Sequence, residues 1–107
     1  MNRNLVLVKV DGTFRSFNEA AEDEHLLSLG ARGAVISAVD ALFPGIVWLD
    51  GGTGEHGSAN FEVGIDDPVE DLVVELKDDS QLETVFALCR ANGWHATESG
   101  MGAFIDL

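Results

Sequence analysis

The sequence predicts an α+β domain: a mainly antiparallel sheet with two helices, at about 31–43 and 80–92, and an N-terminal β-hairpin. Three observations predict it. Several strand-sized runs alternate apolar and polar residues, two longer stretches carry an apolar stripe at helical spacing, and Gly, Pro and Asp punctuate the chain between them. Leu5 to Val10 reads as a strand, and Asp11-Gly12 before Thr13 to Phe17 is a two-residue hairpin signal, because Gly accepts positive φ. Asn18 to Glu24 reads as an acidic loop and His25 to Leu29 as a short strand. Ala31, Val35, Ala38, Val39 and Leu42 share one helical face, which Pro44-Gly45 terminates.

Ile46 to Leu49 is a short strand run ended by Asp50-Gly51-Gly52. Phe61, Val63 and Ile65 alternate with Glu62 and Gly64, and Leu72, Val74 and Leu76 alternate with Val73, Glu75 and Lys77, as expected of a central meander with one face buried. Ser80 and Glu83 stand at capping-box spacing before Leu82, Val85, Phe86 and Cys89, and Asn92-Gly93 supplies a helix stop. Trp94 to Glu98 and Ala103 to Leu107 read as closing strands.

One hundred and seven residues form one domain, 1–107, and 46% hydrophobic content is enough to build a core. Nineteen acids against six bases leave a net charge of −13, which repels phosphate backbones and anionic lipid. No nucleic-acid or membrane partner is therefore expected. A single cysteine excludes an internal disulfide, and no apolar run reaches the length of a spanning helix or signal peptide, so a cytoplasmic location is expected.

Gly52-Thr53-Gly54-Glu55-His56-Gly57 matches the letters of a dinucleotide fingerprint, but a strand pattern follows it instead of a helix, and the neighbouring acids repel phosphate. It reads as a flexible connection. His25, His56 and His95 have no metal-ligand spacing, and Cys89 lies on an apolar helix face, where burial makes a thiol inert. No catalytic residue, metal site or cofactor is expected, and the protein is not read as an enzyme.

The acids are unevenly placed. Residues 1–39 hold five acids and four bases; residues 40–107 hold fourteen acids and only Lys77 and Arg90. Eight acids fall between positions 66 and 83, at one strand and its flanking turns. Solubility, a calcium site and a docking surface compete to explain them. The EF-hand ladder is missing, and a patch of one sign steers a partner of the other. The candidate partner-binding residues are Asp66, Asp67, Glu70, Asp71, Glu75, Asp78 and Asp79, with Trp48 as an aromatic that suits either a rim or a core.

Leu42-Phe43-Pro44-Gly45, Trp48, Phe61-Glu62-Val63, the acidic strand at 70–77, Leu88 to Trp94 and Phe104 to Leu107 together resemble a group of small acidic bacterial proteins, similar in size and charge to toxin-immunity proteins. The likeness covers residues 41–107, departs from the group at Lys77-Asp78-Asp79 and lies in structural residues, so it implies a shared fold and carries over no site residue. The resulting expectation is a non-enzymatic binding protein, a monomer or weak homodimer, that blocks a basic protein such as a nuclease-like toxin. The alternatives are a phage-type DNA mimic that inhibits a host defence nuclease, and a structural or assembly subunit.

Overall fold

Period-two alternation sends Leu5 and Leu7 to one side of an extended run, and the strands laid beside it repeat the pattern. The computed structural model describes residues 3–10, 26–49, 51–98 and 104–105. Over these, the elements are β1 (Arg3–Val10), β2 (Leu26–Leu27), α1 (Arg32–Leu42), β3 (Val47–Leu49), β4 (Thr53–His56), β5 (Ala59–Glu62), β6 (Leu72–Leu76), α2 (Leu82–Asn92) and β7 (His95–Glu98). Six strands form one antiparallel sheet in the order β7-β1-β6-β5-β4-β3, and β2 pairs with the far end of β1 at Lys9 and Val10. The α+β class holds. The Asp11-Gly12 turn and its return at 13–17 lie outside the described residues; β1 is flanked by β6 along Arg3–Leu7 and by β7 along Leu5–Val8.

One face of the sheet is dry. Leu5, Leu7, Ala59, Phe61, Leu72, Val74, Leu76 and Ala96 are fully buried there, against Val35, Val39 and Phe43 of the first helical unit and Val85, Leu88 and Cys89 of the second. The two helices also touch each other. At about 25 cal/mol per Å² of apolar surface, this single layer of side chains supplies the main driving force for folding. Trp94 joins the same core, as its position after the helix stop suggests.

Both helices fall within a residue or two of their expected bounds, but their ends are made differently. At the start of α2 no Ser80–Glu83 capping box forms: Gln81 occupies the N-cap position without a side-chain cap bond, and Ser80 turns its N–H and hydroxyl to the Asp78 carboxylate. Its other end matches expectation, with Gly93 in the left-handed conformation (φ 69°) and Asn92 Nδ2 donating to the Leu88 carbonyl. Leu88, fully buried, supplants half-buried Phe86 on the core stripe.

Two strand assignments move. The strand expected through Phe61, Val63 and Ile65 ends at Glu62, because Val63 and Gly64 donate their N–H groups to the Gly52 carbonyl and bend the chain away, leaving Ile65 77% exposed. The segment read as a flexible Gly-rich connection is strand β4, joined to β5 by the two-residue turn Gly57-Ser58 with Gly57 at φ 56°. Of the expected closing strand, Phe104 bridges to Thr97 and Ile105 N–H donates to the Ala96 carbonyl.

Candidate functional site

On the opposite face of the sheet, Val8 and Val10 are buried with Val6 and Phe104 beside them at the β1–β7 end, while over β4, β5 and β6 no helix lies among the described residues. Register decides what it displays: Glu55, Asn60, Glu75 and Asn4 stand side by side in one row, and Thr53, Glu62, Val73 and Val6 in the next. Glu62 is thus diagonal to both Glu55 and Glu75, at backbone separations of about 7–8 Å, while Glu55 and Glu75 are two strand spacings apart, roughly 10 Å. Three carboxylates therefore surround Asn60. Together with Thr53 and Val73 they line a shallow concavity of about 230 Å³. Among the described residues none of the three belongs to an ion pair, and Glu55 and Glu62 are exposed while Glu75 is half-buried between its neighbours. Their spacing is close to the Debye length of about 8 Å at physiological ionic strength, so they act as one patch.

The acids singled out in the sequence divide differently. Asp66, Asp67, Glu70 and Asp71 line a cleft of about 440 Å³ before β6, around the cis Asp67-Pro68 peptide, whereas Asp78 and Asp79 lie beyond its other end. The five residues of β6 hold these groups roughly 17 Å apart, about twice the screening length. They form two poles, with Glu75 between them on the open face.

Several of these carboxylates have structural partners. Asp67 Oδ1 accepts the N–H of Arg32 at 3.0 Å, at the start of α1, while the Arg32 Nε donates to the Gly64 carbonyl at 2.8 Å. Asp78 accepts from the Ser80 hydroxyl and N–H and from the Ser58 hydroxyl, which together hold its carboxyl below the ordinary range. Asp79 and Glu98 share Arg3, whose guanidinium is stabilised in its charged form first by Asp79 and then by Glu98. Asp66, Glu70 and Asp71 are exposed and make no such contact among the described residues.

Trp48 is on the helix side of the sheet, opposite the carboxylate triangle. Its ring packs at the margin of the core over Gly54, and its Nε1–H donates to Asp40 Oδ1 at 2.9 Å. His56 is a strap: Gln81 Nε2 donates to its Nδ1 at 2.6 Å, its Nε2–H donates to the Pro44 carbonyl at 3.0 Å, and its ring stands edge-on to Phe43. That joins the end of α1 to the start of α2. The glycines of the fingerprint-like run have packing reasons, since a side chain on Gly52 would strike the Gly64 backbone and one on Gly54 would strike Trp48 and Ile46. His95 stacks on Phe104, and Cys89 is fully buried, its thiol pushed up to about 12 by loss of water. Among the described residues no group of His, Cys, Asp and Glu is arranged to hold a metal ion, and no helix is long and apolar enough to cross a membrane.

Glu55 and Glu62 are the members of the triangle that the linear sequence hides. They stand thirteen and more positions before Glu75 and join it only through the β4-β5-β6 register. No protein-family model, curated protein or solved structure matches the chain.

Proposed function

We propose that this is a non-enzymatic acidic binding protein whose open sheet face receives a positively charged protein, acting as the immunity protein of a nuclease-like toxin. The observation that carries the reading is the triangle of Glu55, Glu62 and Glu75 around Asn60, without an ion-pair partner among the described residues and set in a concavity. Such a face occupies Lys and Arg side chains that otherwise hold substrate phosphates, and blocks them by occlusion with no chemical step. The net charge of −13 supports it. Its place of action is the cytoplasm of the producing cell. On the open face the carboxylates make a triangle instead of the repeated pairs that a duplex mimic needs.

Half-buried Glu75 loses most water on binding, so neutralising it costs about 2–5 kcal/mol of affinity, against less than about 1 kcal/mol for a rim acid such as Glu70. Affinity capture from the source cell at low and high ionic strength tests the proposal, using the native chain, a triple Glu55→Gln, Glu62→Gln, Glu75→Gln variant, and Glu70→Gln as control. The expected result is a basic partner retained at low salt by the native chain and the control and lost by the triple variant. Equal capture by all three, or a partner of acidic character, overturns it.

A further inference from the structure

Strand β3 ends the sheet, and its three residues Val47, Trp48 and Leu49 carry none of the Lys, Pro or bulge devices that ordinarily guard an edge. Among the described residues nothing pairs with its outer side. Val47 and Leu49 are 58% and 47% exposed, and both stand on the open face, where Val47 is the cross-strand neighbour of Glu55 and Leu49 that of Thr53.

We infer that the basic partner contributes an extended segment that adds to the outer edge of β3 as a further antiparallel or parallel strand, its Lys or Arg side chains crossing Val47 to reach Glu55. This rests on the reading of the open face given above. The geometry is favourable at each step. A residue opposite Val47 lies two strand spacings, roughly 10 Å, from the Glu55 backbone, a gap that a long basic side chain and a glutamate span together. The exposed methyls of Val47 and Leu49 offer an apolar floor to the stem of a Lys or Arg while its head reaches the carboxylate. On the helix side, Trp48 Nε1–H donates to Asp40, another exposed carboxylate next to the same strand. Main-chain hydrogen bonds give such an added strand its affinity, and alternate side chains give it specificity. A second copy of this chain fits the edge poorly, because two molecules of charge −13 repel at every approach. That repulsion also explains how an unguarded edge is tolerated.

The test titrates isotope-labelled protein with three short synthetic peptides: alternating Lys and Thr, the same sequence N-methylated at every amide, and alternating Glu and Thr. Expected with the first peptide are shifted amides over Val47–Leu49, with new exchange protection at the alternate amides that point away from β4, affinity at least about tenfold weaker for the methylated form, and no binding of the Glu peptide. Equal affinity for the two Lys peptides, with shifts confined to residues around Glu55, Glu62 and Glu75, overturns strand addition and leaves the acidic-face reading standing. No binding of either Lys peptide at low ionic strength overturns both. Protection of the β3 amides that grows with protein concentration in the absence of peptide assigns the edge to a second copy and overturns the inference.

Discussion

Asp67 anchors the start of α1 from 35 residues away, its Oδ1 accepting the Arg32 N–H at 3.0 Å. Helix α1 begins without a side-chain cap of its own and has no acid in its first turn, so one of its orphan N–H groups and its positive dipole end are served by a carboxylate from a distant loop. Replacing Asp67 with Ala should lower stability by about 0.5–2 kcal/mol, while Asn, which keeps an acceptor, should cost less. Urea unfolding of the two variants measures this; an Ala variant as stable as the native chain would show that water serves the helix end equally well.

Gly54 is held under the Trp48 ring. An added methyl would sit 2.8 Å from a ring carbon of Trp48 and from Ile46 Cδ1, so both side chains must move. Gly54→Ala should cost about 1–3 kcal/mol and change the tryptophan emission, since Trp48 must tilt away from Asp40. Emission and thermal midpoint both unchanged would contradict the close approach.

Asp78 links acid to stability. Three donors from Ser80 and Ser58 depress its folded pKa below the ordinary 3.8. A depressed carboxylate stabilises the fold at pH values above its unfolded pKa, and that contribution disappears as pH falls through the lower folded value. An Asp78→Asn variant is therefore expected to melt below the native protein near neutrality, with the gap closing in strong acid. A gap that stays constant across the titration would refute the linkage.

Cys89, its thiol pushed up to about 12 by burial, is held as the unreactive thiol at neutral pH and has no exposed surface. A disulfide reagent should react slowly with the folded protein and rapidly in urea. Rapid labelling of the native state would mean that the α2 side of the core opens readily.

Much of the architecture was legible because local periodicity and burial agree. Val35 and Val39 on α1, Leu72, Val74 and Leu76 on β6, and Gly93 at the end of α2 are all where apolar spacing and turn chemistry put them. Strand β4 was not legible. Thr53-Gly54-Glu55-His56 has little strand propensity, and it is extended because β3 and β5 pair with it on both sides and Trp48 needs a glycine beneath it. The Ser80–Glu83 spacing misled for a related reason, since Asp78 is nearer to Ser80 and outcompetes the helix for its donors. For the site, the acid-rich stretch from 66 to 83 was visible, but its division into two poles depends on the length of β6. The neighbours that Glu75 has on its own face come from register, which leaves no trace in linear order.

Strand β1 lies between β6 and β7, paired through Arg3 to Leu76 and through Leu5 to Glu98, partners about 70 to 90 positions later in the chain. During translation it leaves the ribosome as an apolar ribbon with neither of its main neighbours yet made. Local turns and α1 can form early, but the middle of the sheet closes only after α2 and β7 have been synthesised. Until then Leu5, Leu7 and Val8 have no sheet partner to cover them and are open to mispairing.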